Sequence, residues 1–158
     1  MKDEKKQDFT RRLSCCNRGE MIIIIYDILF SYLEDALDAQ QTGDYNEFKD
    51  SVHKAQQVVR RLMGTLDFTY PVSKDLHALY RFVNELLSLA IVKNTSQNIV
   101  DAKKVLKNLY DGFWEAAKHD TSEPLMQNTQ HVVAGMTYQK GALTETLQGA
   151  ESTRGFLA

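Results

Sequence analysis

Two prolines and eight glycines are all that punctuates this chain of 158 residues. An all-β fold needs many turns, so such sparse breakers argue against one and leave room for long helices. Cysteine is almost missing too. Cys15 and Cys16 are adjacent, a spacing that rarely reaches disulfide geometry without strain, and no Cys-x-x-Cys is present. Two reduced thiols in a reducing compartment are the expectation. Charge of one sign is also lacking. Nineteen Lys and Arg stand against 21 Asp and Glu, a formal charge of −2, so no basic field exists to hold nucleic acid or anionic lipid. The longest apolar stretch, residues 21–33, is interrupted by Asp27 and falls far short of the roughly 20 residues a membrane span needs. The polar start, Met1-Lys2-Asp3-Glu4-Lys5-Lys6, does not read as a signal peptide. A protein of the cytoplasm without membrane insertion is expected.

What is present is ordinary globular material. Hydrophobic residues make up 43% and charged residues 25%, enough to build a core and too apolar for wholesale disorder. Residues 1–16 read as a polar, mixed-charge arm in which Phe9 and Leu13, four apart, would share one side of a helical turn.

Four amphipathic helices follow. Asn17 with Glu20 three residues on makes a capping pair. Ile22, Ile25, Tyr26, Leu29, Leu33, Ala36 and Leu37 continue at helical spacing to about Gln40, and Gly43 supplies a stop. The run Ile22-Ile23-Ile24-Ile25 would suit a strand, but the pattern persists too long for one. Asp44 with Glu47 opens a second helix carrying Phe48, Val52, Ala55, Val59, Leu62 and Leu66. Ser73 is placed to cap a third, with Leu76, Leu79, Tyr80, Val83, Leu86, Leu87 and Ala90 inward. Ser96 is placed to cap a fourth, with Ile99, Ala102, Leu106, Leu109, Phe113 and Ala116 inward, fading at Lys118-His119. Four helices with short links predict an all-α, antiparallel up-down-up-down four-helix bundle over 17–119. Residues 120–158, which hold Pro124 and four of the glycines, read as a loosely structured C-terminal tail. Its apolar clusters, Val132-Val133 among them, are expected to touch the bundle transiently.

At this point the chain resembles the flagellin-specific export chaperones of the FliS family over about residues 17–118. Carrying the resemblance are Asn17, Glu20 and Ile25-Tyr26-Asp27 in the first helix; Gly43-Asp44 opening the second; Lys54-Ala55-Gln56 and Leu66-Asp67 within and after it; Leu79-Tyr80; and Trp114 near the end of the fourth. Ile28 stands where a glycine often follows Leu-Tyr-Asp, and Gly112 interrupts the last helix. The resemblance implies a cytoplasmic chaperone that binds the disordered C-terminal segment of flagellin, prevents premature polymerisation and delivers its client to the flagellar type III export gate.

Independently of the resemblance, the first long helix has apolar residues beyond one core stripe. Met21, Ile24, Ile28 and Tyr32 form a second row, and apolar surface of that kind marks interaction sites. The expected flagellin-binding residues are Phe9, Leu13, Ile24, Tyr26, Ile28, Val58, Tyr80, Tyr110 and Trp114, with Phe9 and Leu13 guarding the groove while it is empty. A weak homodimer is a further possible assembly. No catalytic, cofactor or metal residues are expected. His53, His77, His119 and His131 form no metal-ligand pair, and no nucleophile elbow or phosphate loop occurs. Two alternatives are a histidine phosphotransfer bundle using His53, which has Gln56 and Gln57 where that family carries lysine and glycine, and a helical adaptor outside the flagellum.

Overall fold

In the computed structural model, residues 3–126 are described. They form five helices and, among the described residues, no strand: α1 Asp3–Cys15, α2 Arg18–Thr42, α3 Tyr45–Gly64, α4 Val72–Lys93 and α5 Gln97–Lys118. The expected tail contacts of residues beyond 126 lie outside the described residues.

Local chemistry sets the helix ends. Asn17 Oδ1 accepts the Glu20 N–H at 2.8 Å while Glu20 Oε2 accepts the Asn17 N–H at 3.0 Å, a reciprocal capping box. Gly43 closes α2 at φ +78°, a left-handed conformation that costs a glycine nothing. Asp44 Oδ1 accepts the Glu47 N–H at 3.0 Å and starts α3. The two serine caps expected from the sequence do not form. Ser73 lies buried inside the first turn of α4, and its hydroxyl donates to the Asp67 carbonyl. At α5 the Thr95 hydroxyl, not Ser96, accepts the Gln97 N–H at 3.3 Å. In both cases the tight link before the helix fixes the backbone, leaving the serine outside cap geometry.

The four long helices contact one another in a cycle. α2 and α4 each pack on α3 and α5, and α1 lies against α2. The core follows the expected stripes of α3, α4 and α5 through Phe48, Val52, Val59, Tyr80, Val83, Leu87, Ile99 and Leu106. Three placements differ. Ala116, expected inward, is exposed near the end of α5. Leu79 faces solvent, because its neighbour Tyr80 turns inward. In α2, Ile23 and Ile24 are buried while Ile22 and Ile25 are half-buried. That shift has a cause outside the four-helix cycle: residues 3–15, expected to be an arm, are a thirteen-residue helix, and its C-terminal end covers that side of α2.

Candidate partner-binding surface

α1 is the element that organises the surface. Its sequence is polar, so a helix this short has little stability alone and depends on docking. Phe9 and Leu13 are half-buried and line a groove that residues of α2 and α3 also line. Arg12 Nη2 donates to Asp27 Oδ2 at 2.6 Å and ties the helix to the middle of α2. The Arg12 guanidinium also lies 5.8 Å from the Phe9 ring centre.

α1 leaves a groove on each side. On the α3 side, a groove of about 550 Å³ is lined by Phe9, Leu13, Met21, Ile25, Ile28, Tyr32 and Val58, with Lys6, Lys54 and Arg61 at its edge. On the α5 side, a groove of about 470 Å³ is lined by Arg12, Cys15, Cys16, Glu20, Ile23, Ile24, Trp114, Ala117 and Lys118. The structure thus brings Phe9, Leu13, Ile28 and Val58 together in one place and Ile24 and Trp114 in another.

Trp114 is 44% exposed and stacks on Tyr110 at 6.0 Å. Tyr110 in turn packs edge-on against Phe30 and Tyr26, at 5.7 and 6.1 Å. The aromatic row runs from the core to the surface. Burial first, and the Asp27 carboxylate second, push the Tyr110 phenol above its ordinary value. Lys107 sits 4.6 Å over the same ring and is held by Asp111 at 2.7 Å.

Three of the nine expected binding residues are not accessible. Tyr26 and Tyr80 are wholly buried and join hydroxyl to hydroxyl at 2.8 Å across the core. Each phenol needs an internal partner because burial strips both of water, and burial pushes both upward in pKa. Ile24 contributes to the floor of the α5-side groove but is only 3% exposed, because α1's end and α5 close over it. His53 is exposed on α3 with Nδ1 3.1 Å from Gln56 Oε1, and its neighbour Lys54 is ion-paired with Asp50.

The sequence reading missed one further set of residues. Asp120, just past α5, accepts the Gly19 N–H through Oδ2 at 2.8 Å, and its carbonyl accepts Asn17 Nδ2 at 3.1 Å. Bonds from Ser122 first, then from Gly19, hold the Asp120 carboxyl below its ordinary pKa. The chain then returns so that the Leu125 N–H meets the Cys16 carbonyl at 3.0 Å. A Cβ on Gly19 would stand 2.9 Å from Asp120 Oδ2 and 3.1 Å from Ala117 Cα, so the glycine is required by close approach of α5 rather than by its dihedrals. The glycine inside the capping box, between Asn17 and Glu20, was the available signal. The tertiary partner, a hundred residues away, was not.

No described helix is long and apolar enough to cross a membrane. The family described as "FliS: Flagellar protein FliS" matches residues 1–120. Among curated proteins, the flagellar secretion chaperone FliS of Bacillus subtilis (strain 168) is 20% identical over 105 residues, 66% of this chain and 79% of that protein. The family match spans α1 as well as the four long helices, and with them both grooves: the chain belongs to the FliS family of flagellar proteins.

Proposed function

We propose that this protein is a cytoplasmic flagellar export chaperone, not an enzyme, and that it binds the disordered C-terminal segment of flagellin in the apolar grooves beside α1. The observation that carries the reading is the pair of apolar grooves flanking a lightly held helix in a chain of this family. Covering the flagellin segment keeps it from polymerising, and the complex is handed to the flagellar export gate.

The scaffold is an antiparallel up-down-up-down bundle. Supporting this, Gly19 at the start of α2 meets Asp120 after α5, whereas Glu34, further along α2, pairs with Lys103 near the start of α5. Similarly Tyr45 at the start of α3 reaches Ile91 near the end of α4. In the unbound chain α1 fills the position a client helix takes, and Phe9 and Leu13 supply the anchors a client supplies when bound. Ordering a client segment costs about 2–5 kcal/mol. Burying three large side chains at roughly 1.5–3 kcal/mol each offsets that.

The test is calorimetry and circular dichroism with a peptide of the last roughly 50 residues of the cognate flagellin, whose coupled folding carries a heat-capacity and helicity signature. One-to-one binding with a net gain of helix is expected. Neither heat nor helix gain at tens of micromolar sinks the reading.

A further inference from the structure

We propose that residues 120–126 form a clasp on the hinge between α1 and α2, and that opening this clasp sets how freely α1 swings off α2. The inference does not rest on the flagellin reading, and its test uses no client.

α1 ends at Cys15 and α2 begins at Arg18, so Cys16 and Asn17 alone join them. Any swing of α1 turns on the dihedrals of this short link. Past α5 the chain doubles back onto it. The Asp120 carbonyl accepts Asn17 Nδ2 at 3.1 Å, Asp120 Oδ2 accepts the Gly19 N–H at 2.8 Å, and the Leu125 N–H donates to the Cys16 carbonyl at 3.0 Å. The Cys16 carbonyl turns with the link itself, so holding it holds the direction in which α1 leaves α2. Asn17 is held at both ends of its side-chain amide: Oδ1 accepts the Glu20 N–H while Nδ2 donates to Asp120. The cap of α2 and the clasp thus share one side chain. Cys16 Sγ donates to the Leu13 carbonyl at 3.3 Å, which ties the last turn of α1 to the same link.

The clasp is light. Its turn is made locally, with the Asp120 N–H donating to the Ala117 carbonyl at 3.1 Å and Asp120 Oδ1 accepting the Ser122 N–H at 2.9 Å. Residues 121–126 lie beyond the family match and are all exposed, Leu125 and Met126 at 45% and 58%. Polar bonds hold this strap rather than buried apolar side chains. It therefore belongs to the least stable part of the fold and can release while the core stays closed. Arg12 and Leu13 hold the body of α1, and the clasp holds its pivot. A factor that takes up the exposed strap loosens α1 without entering either groove.

Cys16, only 3% exposed, is the reporter. Cys15→Ser leaves it the one thiol of the chain, and iodoacetamide reaches it when the hinge opens. In that background Leu125→Pro deletes the donor to Cys16, and Asp120→Ala deletes the acceptor of Gly19. Each should speed Cys16 labelling about five- to tenfold. Hydrogen exchange should quicken by a similar factor in the amides of α1 and stay unchanged in those of α3 and α4. Leu125→Ala keeps the N–H and should label at the parent rate. Labelling unmoved by both Leu125→Pro and Asp120→Ala overturns the proposal. So does Leu125→Ala labelling as fast as Leu125→Pro, which makes the strap a cover over Cys16. Faster labelling with unchanged α1 exchange reduces the effect to local fraying, and equal quickening in α3 and α4 makes the strap a general stabiliser; either result also ends it.

Discussion

If α1 and a client helix compete for one position, weakening α1's hold must tighten the client. Two contacts set that hold and act in different places: Arg12 ties to Asp27 on one side, and Leu13 lines the α3-side groove on the other. The Arg12–Asp27 pair is short but partly solvated, with about a third of each side chain exposed, so it contributes about 1 kcal/mol. Leu13 is half-buried, and its truncation to alanine removes about 1–1.5 kcal/mol of docking energy. A binding site blocked by a docked segment has its affinity reduced by the fraction of time it is open. Arg12→Ala should therefore tighten flagellin-peptide binding about fivefold, Leu13→Ala about tenfold, and the two together about fiftyfold, since they share no contact. Calorimetry with one peptide preparation across the four chains gives the ratios. Salt supplies an internal control. Ion pairs this exposed weaken with screening, so raising salt should close the gap between the wild type and Arg12→Ala while leaving the gap to Leu13→Ala in place. Unchanged or weaker binding in the double variant refutes competition and makes α1 a permanent wall of the groove.

Other perturbations separate surface from core. Ile28→Glu, on the open groove, should weaken the peptide with little loss of melting temperature, whereas Ile24→Glu buries an unpaired carboxylate at a cost of several kcal/mol and should unfold the protein. Tyr26→Phe or Tyr80→Phe alone leaves one buried hydroxyl without its partner and should cost about 1–3 kcal/mol, while the double variant should cost less than the sum in a urea-unfolding cycle. The same pair fixes an alkaline limit. In the unfolded chain both phenols ionise near pH 10, whereas burial holds Tyr26 protonated in the folded chain and raises Tyr80, so the folded state binds more protons. Stability should be full below pH 10 and fall above it by about 1.4 kcal/mol per pH unit from Tyr26 alone, with Tyr80 adding in the same direction; a flat urea midpoint between pH 9.5 and 11 contradicts this. Gly19→Ala pushes a Cβ into Asp120 and the Ala117 backbone, and should cost about 1–3 kcal/mol, read in the same urea titration.

The helix starts and stops that rest on neighbours in sequence were legible. Asn17 with Glu20, Asp44 with Glu47 and the left-handed Gly43 are local devices whose partners lie within a turn. The core faces of α3 and α5 were legible for a related reason: each has one wide polar side, and its apolar residues recur with a single phase. α1 was not. Its helix carries two apolar anchors and a string of charges, and its stability comes from Asp27 and the α2 surface, which no window of sequence contains. Tyr26 and Tyr80 stood both in the inward helical stripes and among the expected binding residues, and the structure places both in the core. Their mutual hydroxyl bond, which makes burial tolerable, links positions 54 residues apart.

The misplacement of Ile24 and the docking of α1 are one physical fact. α2 packs against three helices, α1, α3 and α5, so it needs apolar residues over most of its circumference, and a stripe analysis that allows for two neighbours sees excess. Part of that excess is real interaction surface and part is absorbed within the chain, and the division is made by a helix whose own residues say little. A client helix would meet the same surface that α1 meets: an apolar α2 flank with Ile25, Ile28 and Tyr32 forward, and cationic side chains of Lys54 and Arg61 along the edge. The segment that best replaces α1 should therefore combine large apolar residues at helical spacing with an acidic side toward α3. Reversing that edge, with Lys54→Glu and Arg61→Glu together, should slow association and steepen its salt dependence in the opposite sense, while the apolar contacts leave the dissociation rate little changed. Stopped-flow binding at low and high salt reads both rates. An association rate unaffected by the reversal means the cationic edge does not guide the client, and selection rests on the apolar groove alone.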